Sequence, residues 1–187
     1  HSATVLALSV APDGRRFASA GLQGKINVFD LPGRNPVANI TNVPGLAATI
    51  AVSPNGGLVA TGDNAPALRL WNTANSQHLR DFSGLTAAVT SAAFLGDGQL
   101  IVAAAADGTL RGWNVANGAA AGLIQPSPIS RMAVFSSDDP ANGHLLATAG
   151  ADGTLRLFRW PPVPPQNLAG HSDQVTAVVI SHDGKLV

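Results

Sequence analysis

The chain has 187 residues and no formal net charge, because eleven lysines and arginines balance eleven acidic residues, and only 12% of its residues are charged. This balance argues against binding to nucleic acid or to an anionic membrane surface. The absence of cysteine excludes disulfides, thiolate metal sites and a cysteine nucleophile, and leaves the cellular compartment undetermined. Hydrophobic residues make up 45% of the chain, which is enough for a packed core.

The chain opens with short apolar stretches that are separated by turn signals. Residues 4–10, 16–20, 25–29 and 36–40 are predicted to be strands, and Pro12-Asp13-Gly14 is a tight-turn signal between the first two. The proline at the start of the fourth stretch suits an edge strand, which need not donate every backbone hydrogen bond.

The same cycle of four strands recurs along the chain. The later predicted strands are 47–52, 58–61, 67–71 and 77–82; then 88–94, 99–104, 109–113 and 122–124; then 130–135, 144–148, 154–158 and 166–168; and finally 174–180 in a fifth cycle. The alanine-rich residues 102–106 favour a helix by propensity, but their place in the repeat predicts a strand. No window shows the apolar stripe of a helix, so the sequence predicts an all-β fold.

Aromatic residues mark the period of this repeat. Phe29, Trp71, Trp113 and Phe158 follow one another at intervals of 42, 42 and 45 residues. A fixed period of this size is typical of repeat architectures. We therefore expect one repeat domain over 1–187, with units of about 1–42, 43–84, 85–126 and 127–169 and an incomplete unit at 170–187.

Three sets of residues resemble the motifs of the WD-repeat family of β-propellers. They are Asp107-Gly108-Thr109 with Trp113-Asn114, Asp152-Gly153-Thr154 with Phe158, and Gly170-His171 with Asp183-Gly184. The resemblance implies a β-propeller with four-stranded antiparallel blades, of which this chain holds about 4.5, and further blades from the same longer chain. The amino-acid composition, rich in alanine, glycine and arginine, indicates a bacterial source.

The resemblance also implies a structural repeat motif, a tetrad of histidine, serine or threonine, aspartate and tryptophan within each blade. Carried over by position, the members present are His1, Ser19, Thr61, Trp71, Asp107, Trp113, Thr148, Asp152 and His171, with Phe158 at a tryptophan position. No unit has all four members. The blades are therefore expected to depend strongly on apolar packing between neighbours.

Catalytic and cofactor-binding patterns are absent from the sequence. Most aspartates stand in turn signals, the histidines lack the short spacing of metal ligands, and neither a G-x-S-x-G motif nor a phosphate loop occurs. The sequence therefore predicts no catalysis, no metal site and no cofactor. The proline-rich residues 160–165 are interpreted as a stiff connector, with a polyproline ligand as the alternative.

The function predicted from the resemblance is a scaffold for protein–protein interaction. The partner is expected on the face that carries the loop before each first strand and the turn between the second and third strands. Candidate contacts are the residues there that depart from the repeat: Leu46, Asp63, Asn64, Leu85, Gln125 and Arg131. The alternative is a passive propeller region of a multidomain bacterial enzyme or redox protein, linked to a kinase or a c-type cytochrome.

Overall fold

A computed structural model describes residues 1–124, 129–136, 143–160, 166–168, 174–176 and 178–179. In this part of the chain the fold is all-β, as predicted: sixteen strands form four antiparallel sheets and there is no helix. Each sheet contains four consecutive strands in chain order, which is the arrangement of a propeller blade.

The strands lie close to their predicted positions. In chain order they are β1 (Val5–Val10), β2 (Arg16–Gly21), β3 (Lys25–Asp30) and β4 (Pro36–Ile40); β5 (Thr49–Val52), β6 (Leu58–Gly62), β7 (Leu68–Asn72) and β8 (His78–Phe82); β9 (Val89–Leu95), β10 (Leu100–Ala105), β11 (Leu110–Asn114) and β12 (Ala120–Ile124); β13 (Ile129–Ser136), β14 (His144–Gly150), β15 (Leu155–Trp160) and β16 (Gln166–Leu168).

The aspartate-glycine turns form as their chemistry predicts. Asp13 Oδ1 accepts the backbone N–H of Arg15 at 2.9 Å, and Gly14 adopts a φ of 69° that few other residues tolerate. The alanine-rich stretch forms β10 and pairs with both β9 and β11. Tertiary pairing therefore overrides helix propensity there.

The hydrophobic core lies between the sheets. Each of the three clusters of buried side chains combines residues of two neighbouring units, and the aromatic residue of the third strand reaches the cluster shared with the preceding unit. Trp71 belongs to the cluster of the first and second sheets, Trp113 to that of the second and third, and Phe158 to that of the third and fourth. This arrangement agrees with the expected dependence on packing between neighbours.

The first strands of successive sheets, β1, β5, β9 and β13, contact one another in sequence. Because every sheet runs in the same order, all loops before first strands and all turns between second and third strands share one face, here called the upper face. The turns between first and second strands and between third and fourth strands share the opposite face, called the lower face.

The outward side of the first sheet is apolar and exposed. Val5, Leu8 and Val10 on β1 are 50%, 65% and 53% exposed. In the third sheet, by contrast, Val89 and Phe94 of β9 are 2% and 7% exposed, because that strand lies between two neighbours. Among the described residues, no sheet packs on this outward side of β1, whereas the second sheet packs on its other side.

The predicted fifth unit lies largely outside the described residues. One described contact there resembles an earlier one: the N–H of Val175 donates to the carbonyl of Gly150 at 3.4 Å, and the N–H of Val89 donates to the carbonyl of Asp63 at 3.1 Å. Residues 174–176 and 178–179 carry no assigned strand. Among the described residues, no helix has the length and hydrophobicity required to cross a membrane.

Candidate functional site

The structure brings together parts of the repeat motif in the first two sheets. His1 Nε2 lies 2.8 Å from Ser19 Oγ, and the Trp71 indole donates to Thr61 Oγ1 at 3.0 Å in a buried bond. Phe29, which occupies the tryptophan position of the first unit, stacks on Phe17 with ring centroids 5.0 Å apart. The motif residues therefore serve the framework of these blades.

The third sheet replaces the missing hydroxyl with a backbone acceptor. Ala103 stands where the second unit has Thr61, and the Trp113 indole donates instead to the carbonyl of Ser83 at 3.0 Å. Since Ser83 belongs to the preceding unit, this bond ties two blades together. Asp107 caps its own turn by accepting from the backbone and hydroxyl of Thr109 at 2.9 and 2.8 Å.

The fourth sheet shows a charged version of the same turn. Asp152 accepts from the Thr154 hydroxyl at 2.6 Å and pairs with Arg156 Nη2 at 2.6 Å. Thr148 and Phe158 are buried, each 1% exposed. The remaining predicted motif member of this part of the chain, His171, lies outside the described residues.

These turn contacts perturb two carboxyl groups in the same direction. Hydrogen bonding from Arg156, and then from Thr154, holds the pKa of Asp152 far below its usual range. Hydrogen bonding from Thr86 lowers the pKa of Asp107. Both groups therefore stay ionised and serve as acceptors for their turns.

Replacing Asp152 with asparagine is expected to reduce the loss of folding stability that occurs as the pH falls. A carboxyl whose pKa is lower in the folded state stabilises the fold above its unfolded pKa of about 3.9, and this contribution is lost as the pH falls below that value. Thermal unfolding followed between pH 6 and 2, in steps of about 0.5, should show a shallower loss for Asp152→Asn than for the wild type. Parallel profiles would contradict the assignment.

The predicted partner face is only partly available at the surface. Leu46, Asn64 and Arg131 are exposed, and Leu46 retains 38% of its surface. The structure corrects two other members: Asp63 and Leu85 are only 3% and 7% exposed.

The last member, Gln125, lies outside the described residues. The side chains of the two corrected residues make contacts within the fold: Asp63 pairs with Arg69, and Leu85 packs in the cluster between the second and third sheets. The Asp63 carboxylate also accepts the N–H of Ala65 at 2.9 Å. Neither side chain is free to meet a partner without a change in the fold.

The upper face has one apolar residue that the sequence reasoning missed. Leu22, in the turn between β2 and β3, is 43% exposed. Its turn is joined to the loop that carries Leu46, because the N–H of Val43 donates to the carbonyl of Gly24 at 2.9 Å. The available signal was a leucine in the turn bounded by Gly21 and Gly24, where polar residues are usual.

The described residues offer no cluster of three or more histidine, cysteine, aspartate or glutamate side chains that could hold a metal ion. Burial lowers the pKa of His144, against the opposing effect of Asp97. The surface that this arrangement presents for binding consists of exposed loops between the strands of the stacked sheets.

Comparison with protein families gives one match. The model described as "WD domain, G-beta repeat" matches residues 1–30, 76–114, 126–159 and 162–187, which together exceed half of the chain. The last matched segment covers the region of the predicted fifth unit.

Two curated relatives illustrate the breadth of the likeness. Pre-mRNA-processing factor 19 homolog 2 of Arabidopsis thaliana is 32% identical over 119 residues, which are 62% of this chain and 22% of that protein. Human apoptotic protease-activating factor 1 is 30% identical over 128 residues, 63% of this chain and 10% of that protein. The chain thus spans less than a quarter of these relatives. Both are eukaryotic, so the expected bacterial source finds no support here.

Two solved structures share the fold. "Structure of U3-55K" superposes with a TM-score of 0.81 at 22% identity, and "Crystal structure of RRP9 WD40 repeats" with a TM-score of 0.80 at 23% identity. Each alignment covers 94% of this chain and 54% of the solved chain. At this identity the likeness establishes the architecture alone.

Proposed function

The chain belongs to the WD domain, G-beta repeat family, and from that premise we propose that it is a protein-interaction scaffold that engages its partner through the upper face. Repeats of this family typically mediate such interactions. The observation that carries the proposal is the pair of exposed leucines, Leu22 and Leu46, on two loops joined by a backbone hydrogen bond. These side chains add nothing to the packed clusters between the sheets.

The surroundings of the leucine pair suit a protein partner. Asn64 lies exposed in the next upper-face turn, and the neighbouring Gln23 accepts a hydrogen bond from Ser2 at 2.7 Å. An apolar centre with a polar rim is the usual anatomy of a protein–protein interface. Arg131, exposed on the fourth sheet, extends the same proposed face.

We also propose that blades from the same longer chain cover the outward side of β1 and complete the fifth unit at 170–187. Three observations support this: the exposed apolar side chains of β1, the Val175–Gly150 hydrogen bond, and the coverage of only 54% of each solved chain. A propeller avoids open sides and edges by continuing its blades around the ring.

Leu22→Asp and Leu46→Asp, singly and together, test the upper face. Proteins captured by the wild-type chain would be identified by mass spectrometry, purified, and titrated against each variant by calorimetry. We expect each substitution to weaken the affinity for a partner that binds this face by about tenfold or more, because a charge replaces an apolar contact that is buried in the complex. The thermal midpoint should stay within about 2 °C of the wild type.

Leu123→Asp is the matched control, since Leu123 is 47% exposed on β12, the outer strand of the third sheet. It should leave the affinity unchanged. If Leu22→Asp and Leu46→Asp bind as the wild type does, the upper face near these loops is not the interface.

A further inference from the structure

A groove on the lower face, between the second and third sheets, encloses about 510 Å³. Its wall combines Leu58 and Leu70 from the second unit with Val115 from the third. Leu79 and Arg80 of β8 complete the same side, and Leu79 is 43% exposed. A largely apolar concavity of this size with a few polar groups is the usual form of a ligand site.

Arg80 places a fixed cation in this groove. Its Nη2 donates to the carbonyl of Ala116, on the facing turn of the third unit, at 2.6 Å. Within the described chain Arg80 forms no ion pair, its Nη1 makes no hydrogen bond, and its buried Nε has no acceptor. The bond to Ala116 therefore holds the guanidinium in place while a donor remains unused.

A neighbouring arginine, by contrast, has carboxylate partners. Arg69, on the adjacent strand β7, pairs with the Asp63 carboxylate and lies 3.7 Å from Asp81 Oδ1 through its Nε. Arg80 has no counterpart of either carboxylate. The acidic residue of the groove lining is Asp97, whose carboxylate already accepts from the backbone and side chain of Gln99 at 3.0 and 2.6 Å.

We propose that this groove binds a linear peptide segment in which a large apolar side chain precedes an acidic one. The apolar side chain packs against the partly buried Leu58 and the exposed Leu79, and the carboxylate accepts from Nη1 of Arg80. Charge-assisted hydrogen bonds from arginine to a carboxylate are among the stronger polar contacts in proteins. Asp97 also lines the groove and disfavours a second acid in the segment.

The site is separate from the proposed upper-face interface and does not depend on it. It lies on the opposite face and draws on the second and third units, whereas Leu22 and Leu46 lie on the first two. A scaffold with both sites holds two partners at once.

Methyl NMR of the leucine- and valine-labelled chain tests the proposal with two probes, acetyl-Phe-Glu-amide and acetyl-Phe-Gln-amide. We expect saturable shifts at the methyls of Leu58 and Leu79, and about tenfold weaker binding of the glutamine probe, because it lacks the charged acceptor. Shifts confined to other methyls, equal affinities or no shifts at all would each overturn the proposal.

Arg80→Gln should bind both probes with the lower affinity, while Arg15→Gln, at an exposed arginine of the first unit, should keep the tenfold preference. Because Arg80 also joins two blades, Leu79→Ser gives an independent check. It removes apolar surface from the exposed rim and should weaken both probes equally, leaving the preference for glutamate intact. Loss of the preference in Leu79→Ser, or its survival in Arg80→Gln, contradicts the assigned roles.

Discussion

Trp160→Ala is expected to destabilise the chain by about 3–5 kcal/mol, the usual cost of removing a buried aromatic side chain. The indole is 2% exposed at the end of β15, where it contributes to the cluster between the third and fourth sheets. It rests on Gly112 of β11: a Cβ placed on this glycine would overlap the indole ring. Chemical denaturation at equilibrium would measure the loss.

The same contact predicts a specific rescue. Gly112→Leu alone should destabilise by about 1–3 kcal/mol, because the new side chain is forced against the indole. In the double variant the leucine occupies part of the space that the indole leaves. The combined loss should therefore be smaller than the sum of the two single losses, and a double-mutant cycle measures the difference. Strict additivity would show that the two residues do not share the space.

Asp63→Ala is expected to cost about 3–5 kcal/mol, because it leaves the guanidinium of Arg69 partly buried without its main partner. The side chains of Asp63 and Arg69 are 4% and 16% exposed, and they pair directly. Asp81 lies 3.7 Å from Arg69 Nε but is 58% exposed, so it compensates only in part. The free energy of unfolding from denaturant titrations provides the measurement.

Two variants separate the buried pair from ordinary surface charge. Asp63→Ala combined with Arg69→Met removes both charges and should recover most of the stability. Asp81→Asn changes only the exposed acid and should cost less than about 1 kcal/mol. An equal loss for Asp63→Ala and Asp81→Asn would mean that burial does not govern this interaction.

The fold could be predicted from the sequence because its signals are local and repeated. Turn chemistry at Asp13-Gly14 and its later counterparts, together with the regular aromatic positions, places every strand of the four sheets within a few residues of its observed bounds. The repeat also decided correctly between strand and helix at β10, where propensity alone points the other way.

The residues of the candidate site were harder to predict from the sequence than the fold, because the exposure of a side chain depends on which side chains of the neighbouring blade it contacts. Asp63 breaks the repeat pattern, which suggested a contact residue, yet the break serves a buried pair with Arg69. Leu85 also departs from the repeat, yet it packs in the apolar cluster between the second and third sheets.

Neither outcome is visible without the neighbouring unit. The same holds for Gly112 and Trp160, which lie 48 residues apart in the sequence and pack against each other in space. Spacing within one unit gives no hint of such a pair.

The open side of the first sheet has a thermodynamic consequence. The heat capacity change and the denaturant dependence of unfolding both scale with the apolar surface that becomes hydrated when the chain unfolds. Val5, Leu8 and Val10 already meet water in the folded chain, so they contribute little to either quantity. The stability curve of this chain is therefore flatter than that of a protein of equal length whose sheets are covered on both sides, and its denaturation transition is correspondingly broader.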